Sequence, residues 1–350
     1  MTIDYLIVGQ GVAGSVLAWT LDQRGCSVLL TNDPATPAAS AVAAGIVNPL
    51  TGRKLVQTWK AAELFPFLHQ FYSGIEDELG VHFFHPGTIY RPYRSEAEKN
   101  NYLTYTADPA IRPYIDPSTN DESYAPYIEN PFGGLTVGQA GWVDLTEFGR
   151  LIKGYFIRKN QYYEGRVPVD ELLLTESSVI WNGVRFGKVI FCDGVQATEN
   201  PLFNWLPYSP VKGQLLTAMV ENYPVRAIVN QGIFVLPVRP GLIRIGATYS
   251  WDDLDWQTTA DARTFLEEKA RALLKIPFEV VGQQAGIRPS SNDRRPFVGI
   301  HPDQPAVGIF GGMGTKGVSL SPYLAEQFAR YLLDGEEIDA EANITRCVSL

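Results

Sequence analysis

Six consecutive residues, Gly9-Gln10-Gly11-Val12-Ala13-Gly14, have the types and spacing of a dinucleotide-binding turn. Each glycine has its own task. Gly9 permits a tight turn, Gly11 lets a pyrophosphate approach the backbone, and Gly14 lets a helix pack hard on a strand. The free N–H groups and positive dipole end of that helix would face the phosphates. Other patterns carry less. His82 and His85 have H-x-x-H spacing, but no cysteine or acidic cluster joins them, so no metal site is expected. There is no Ser-His-Asp set and no G-x-S-x-G elbow. Gly314-Thr315-Lys316-Gly317 only superficially resembles a phosphate-binding P-loop, because no G-K-[ST] occurs.

The elements around the turn give it weight. Tyr5-Leu6-Ile7-Val8 reads as a strand. Ala13, Val16, Leu17 and Leu21 recur at helical spacing, and Gly25 sits where that helix would stop. Ser27 to Thr31 reads as a second strand. Strand, turn, helix and strand open a doubly wound parallel sheet. The second strand of such a unit usually ends in an acidic residue that holds the adenine ribose. Here Asn32 stands there, followed by Asp33, and either can accept a hydrogen bond.

Further along, helices are expected over 56–80, over 144–158 with Asp144 or Thr146 as cap, over 258–274 and near 318–334. Residues 34–50 are too rich in Ala and Pro for a long helix. Residues 83–135 read as strands and long loops, and 188–192 as a buried strand ending in Asp193-Gly194. Three strand-like runs lie in 211–250. With 350 residues and no linker or repeat, two interleaved domains are expected. The net charge of −9 argues against a nucleic-acid partner held by phosphate contacts. Three scattered cysteines make no disulfide framework. The start lacks the features of a secretory signal, and no apolar run has the length of a membrane span, so a cytoplasmic protein is expected.

Two C-terminal segments complete a pattern. Residues 286–299 run Gly286-Ile287-Arg288-Pro289-Ser290-Ser291-Asn292-Asp293-Arg294-Arg295-Pro296-Phe297-Val298-Gly299, and Gly312 to Pro322 form a Gly-rich loop entering a helix. With the N-terminal turn, these resemble the FAD-dependent amine and amino-acid oxidases, a family that includes D-amino-acid oxidase, glycine oxidase and monomeric sarcosine oxidase. Ser40 to Ile46 resembles the stretch beside the flavin, Pro210 to Gln214 the P-V-R-G-Q segment, and Gly246 to Tyr249 the G-A-T strand. The nearest resemblance is to the oxidase half of the bifunctional enzyme that finishes 5-methylaminomethyl-2-thiouridine in tRNA. It runs through Gly141-Trp142, Asp193 to Gln196, Val211 to Leu215, Ile245 to Tyr249 and Gly312 to Pro322.

The resemblance implies an α/β fold: an FAD-binding doubly wound domain (1–78, 138–207 and 284–350) interleaved with an α+β substrate domain built on an antiparallel sheet (79–137 and 208–283). It implies non-covalent FAD, a small amine or amino acid as substrate, and dioxygen or another electron acceptor. It also implies hydride transfer to the flavin from the carbon beside the amine, giving an imine. FAD contacts are implied for Gly9, Gln10, Gly11, Val12, Ala13, Gly14, Asn32 or Asp33, Ser40, Ala44, Gly45, Ile46, Val167, Asp193 and Gly194. In the closing loop they are implied for Gly312, Met313, Gly314, Thr315, Lys316, Gly317 and Val318. Arg288 matches the arginine that pairs with the substrate carboxylate, with a structural ion pair to Asp293 as the alternative. Tyr249 would line the pocket. Arg244 stands where sarcosine oxidase carries an oxygen-activating lysine, and Ser319 replaces a second lysine, leaving Arg53 or Lys54 as possible helpers. A tRNA-modifying oxidase and a non-catalytic FAD-binding module remain as alternatives.

Overall fold

The computed structural model describes residues 2–348. Its first sheet is built on the strand Thr2–Val8, which pairs in parallel with Val28–Asn32 on one side and Val184–Phe191 on the other. Tyr162–Glu164 extends the sheet beyond Val28–Asn32, and Gln304–Gly311 extends it beyond Val184–Phe191, both in parallel. Both faces are covered, which is why the central strand is apolar without alternation. Ile7 packs with Val16, Leu17, Leu324 and Phe328 of the first and closing helices. Leu6 packs on the opposite face with Val189, Phe203 and Val307.

The first helix, Val12–Gln23, and the closing helix, Gly317–Asp334, lie against each other. A Cβ on Gly317 would stand 2.9 Å from Val12 Cγ1, so the two N-termini meet. A Cβ on Gly14 would stand 1.8 Å from the Gly9 carbonyl oxygen. Only glycine allows the helix to leave the turn so closely.

The second sheet is mostly antiparallel. Its order runs Phe278–Arg288, Val211–Val220, Leu242–Gly246, Phe234–Arg239, Ile228–Asn230, Phe84–Pro92, Gly134–Val143, Ile46–Val47. The helix Ala260–Leu273 covers one face, packing Leu266, Ala270 and Leu273 on Leu216, Ala218, Ile243 and Ile245. The other face carries Gly213, Leu215, Phe234 and Gly246 toward a large cavity.

Several expectations need adjustment. Ile46–Val47 and residues 138–143, expected in FAD-binding segments, lie in the second sheet, where Ile46 pairs with Trp142 and Val47 with Gly141. Phe278–Arg288 crosses the expected 283/284 boundary as one continuous strand. The cause is hydrogen bonding: backbone donors and acceptors follow the sheet they pair in, whichever domain the motifs suggest. Residues 83–135 contain a helix, Glu96–Thr106, where strands and loops were expected. Only Tyr102 of that helix is buried, so it has no apolar stripe to read. Its signal is the Ser95-x-x-Glu98 start, in which Ser95 Oγ accepts the Glu98 N–H at 3.1 Å. Asp144, rather than Thr146, caps the helix Leu145–Arg158, accepting from Thr146 and Glu147 N–H.

Candidate active site and cofactor cavity

A cavity of about 910 Å³ lies between the C-terminal ends of the first sheet's parallel strands and the bare face of the second sheet. Its position is the usual one for a ligand on an open α/β sheet. Gly9 holds φ at +103° and turns the chain out of the first strand. A Cβ on Gly11 would stand 3.2 Å from Ser40 Oγ, inside the lining. That bare backbone, together with two helix N-termini converging at Val12 and Gly317, suits a long, doubly anionic pyrophosphate with a ring system beyond it. The residues present therefore fit FAD.

Most of the expected FAD contacts line this cavity. Gly9 to Ala13, Asn32, Asp33, Ser40, Ala44 to Ile46, Val167, Asp193, Gly194 and Gly312 to Val318 all do so. Gly14 does not: its role is the helix–strand contact. The Gln10 side chain turns away, donating to the Gly149 carbonyl at 2.8 Å and accepting from Tyr162 Oη at 2.9 Å. Ser40 Oγ accepts the Val12 N–H at 3.0 Å and so shapes the turn. Gly45 is required by packing, since a Cβ would stand 1.9 Å from the Val143 carbonyl oxygen.

At the adenine end, Asn32 Oδ1 accepts the Gln10 N–H at 3.4 Å. The Asp33 carboxylate closes a local turn, accepting from Ala35 N–H at 2.9 Å and Thr36 Oγ1 at 2.8 Å. A carboxylate at position 32 could accept the same backbone N–H and still face a ribose. Asn32→Asp is therefore expected to keep FAD affinity within tenfold, about 1.4 kcal/mol, as read by titration of the FAD-free protein. A larger loss would mean that Asn32 acts as a donor.

At the other end, Arg288 is half-buried with no acidic partner among the described residues. Its Nη1 donates to the Thr248 carbonyl at 3.3 Å, and its guanidinium carbon lies 4.5 Å from the Tyr249 ring centroid. Asp293, the alternative partner, bonds Arg346 instead. Burial pushes the Arg288 pKa down from the usual arginine range. Gly213 makes the room: a Cβ there would stand 2.1 Å from Arg288 Nη2. Gly213 was not among the expected site residues, although the Pro210 to Gln214 segment that holds it was singled out; this glycine faces the guanidinium across paired strands.

Tyr249 lines the cavity mouth and is 57% exposed. Arg244 sits on the strand that carries Gly246, but it does not line the cavity, and its Nη1 donates to the Ala43 carbonyl at 3.2 Å. Arg53 and Lys54 lie exposed in a hairpin turn outside the lining. Ser319 is buried and lines the cavity. Lys316 donates to Thr58 Oγ1 at 3.1 Å. Burial, then Arg294 and Arg295, lower its pKa to about 8. Its charge is thus present below that pH and lost as pH rises through it. If this cation faces the flavin's pyrimidine edge, Lys316→Met should lower the midpoint potential of bound FAD, measured at about pH 7. An unchanged potential would place the charge elsewhere. His82 bonds Glu76 at 3.0 Å, and no group of three metal-ligating side chains is found among the described residues. All three cysteines are free.

Comparison with known proteins agrees with this geometry. Glycine oxidase of Pseudomonas putida is 28% identical over 188 residues, 52% of this chain and 48% of that protein. The tRNA 5-methylaminomethyl-2-thiouridine biosynthesis bifunctional protein of Caulobacter vibrioides is 24% identical over 334 residues, 94% of this chain and 54% of that protein. The chain spans about half the length of the curated relatives it matches. Among solved structures, glycine oxidase from Geobacillus kaustophilus superposes with a TM-score of 0.79 at 21% identity, covering 99% of both chains. No helix among the described residues is long and apolar enough to cross a membrane. The family model described as FAD dependent oxidoreductase matches residues 4–331, and the chain belongs to that family.

Proposed function

We propose that this chain oxidises the C–N bond of an amino acid or N-substituted glycine. The observation that carries this reading is Arg288, a guanidinium enclosed in the cavity wall with no carboxylate of its own. An enclosed arginine without an anion is costly, and a planar carboxylate from the substrate answers it bidentately. Bound FAD would supply the hydride acceptor for the carbon beside the amine, with dioxygen or another acceptor as the final oxidant. Arg288, backed by the Thr248 carbonyl and the Tyr249 ring, holds the carboxylate so that this carbon is fixed in place. Tyr249 at the mouth covers the substrate on its solvent side. No side chain need act as base if the amine binds neutral. The substrate leaves as an imine, which water hydrolyses.

The test is an anaerobic screen in which amines of the form N–CH2–COO− are mixed with the yellow protein. Bleaching by these, and not by the same amines without the carboxylate, supports the reading. Indifference to the carboxylate would overturn it. A second reading, in which the amine is carried on tRNA, is favoured by the match along 94% of the chain to the tRNA-modifying protein. Retardation of tRNA on a native gel, with bleaching by tRNA and not by free amino acids, would select it.

A further inference from the structure

Asp193 follows the strand Val184–Phe191 at the heart of the dinucleotide site. Its Cα would stand 3.2 Å from a Cβ on Gly9, so it abuts the turn that meets the pyrophosphate. It lines the cavity, while its carboxyl is drawn into the protein. Oδ1 is buried with no hydrogen-bond partner, and Oδ2 accepts from Asn200 Nδ2 at 3.3 Å. The titratable neighbours that feel its charge are the Cys192 thiol, which is buried, and the Tyr208 hydroxyl, itself buried and unpartnered. Glu199, Asp33 and Asp170 are the other acids lining the cavity, and Arg166, Arg288 and Lys316 are its lining cations. No lysine, arginine or histidine figures among the groups that act on its carboxyl.

We propose that this chain binds FAD with Asp193 in its neutral, protonated form, so that loading the cofactor takes up a proton. An enclosed carboxylate without a cation is unfavourable by itself, and a doubly anionic pyrophosphate beside it makes it more so. The backbone at this position does the work of a dinucleotide wall, while the side chain imposes a charge condition on it. Burial, partly offset by hydrogen bonds from Asn200 and from its own backbone N–H, already raises the Asp193 pKa to about 6. The bound pyrophosphate raises it further. The sign follows: below about pH 6 the acid is neutral in both states and affinity is greatest, and above it each FAD bound must bring in a proton. Lys316, whose pKa is about 8, contributes in the same direction only at higher pH, so the informative range lies below it. None of the four histidines lines the cavity.

The experiment titrates FAD into the protein stripped of flavin, following fluorescence quenching from about pH 5 to about pH 7. The dissociation constant should weaken about tenfold across that range, with a slope approaching one proton at the upper end. Calorimetry in buffers of different ionisation enthalpy should register uptake of nearly one proton at about pH 7. Asp193→Asn should remove both effects and bind FAD at about pH 7 as tightly as the parent does at about pH 5. Asp193→Ser provides a second neutral side chain should the first fail to fold. A parent protein with a flat affinity and no proton uptake would overturn the proposal. So would a neutral variant that keeps the slope. Neither readout involves substrate, so the result stands apart from the proposed amine oxidation.

Discussion

Gly11→Val is expected to leave a folded protein that no longer holds FAD. The backbone at Gly11 has φ −74°, which any residue adopts, so the substitution introduces no conformational strain. Its effect is occupancy of space. The first new carbon would stand 3.2 Å from Ser40 Oγ, and the two methyls beyond it would fill the approach to the helix N-terminus. Loss of that approach removes the closest backbone contact to the pyrophosphate, and FAD affinity should fall at least ~100-fold, about 2.7 kcal/mol. Flavin content per protein after purification checks this, with far-UV circular dichroism to confirm the fold. Normal flavin content would remove the turn from the cofactor site. Gly14→Ala makes the contrast, because its Cβ meets the Gly9 carbonyl oxygen at 1.8 Å and the damage should appear as lost folding. In the parent protein, acid precipitation should release the yellow colour to the supernatant, as expected of non-covalent FAD.

Arg288→Ala is expected to cut flavin reduction by a carboxylate-bearing amine by roughly 30- to several-thousand-fold in kcat/KM. That range corresponds to about 2–5 kcal/mol for losing one partner of a desolvated charge pair. Arg288→Lys should recover only part, since an ammonium does not reproduce the planar fork. The amine lacking its carboxylate should react poorly with the parent and be nearly indifferent to the change. Flavin content should stay normal, because the Arg288 guanidinium sits at the Gly213, Thr248 and Tyr249 end of the cavity and makes no hydrogen bond to the dinucleotide turn. Gly213→Ala offers an independent route to the same defect. Its Cβ would stand 2.1 Å from Nη2 and must displace the guanidinium while leaving its charge intact. Equal losses toward both amines, or an empty flavin site, would make Arg288 structural.

The dinucleotide end of the cavity was legible because its requirements are local. Gly9, Gly11 and Gly14 lie within one turn, and the strand before them and helix after them carry their own periodicities. The substrate end was less so. Arg288 could be singled out, but its fitness depends on Gly213 opposite, on Thr248 and on Asp293 being engaged elsewhere. These are contacts between positions tens of residues apart. The Gln10 side chain turned toward Gly149 was hidden for the same reason. The helix Glu96–Thr106 escaped because a polar surface helix announces itself only by its cap.

The meeting of Val12 with Gly317 also bears on how the protein is made. The first helix leaves the ribosome some three hundred residues before the helix it packs against. Its buried residues, among them Val16, Leu17, Trp19 and Leu21, have no such cover while the middle of the chain is being translated. Cofactor insertion must then wait for the last strand and helix to emerge, so the nascent protein passes through a long flavin-free stage. An arrested chain ending before Gly317 should bind chaperone rather than FAD, and flavin supply should govern the yield of finished protein more than the speed of its early folding.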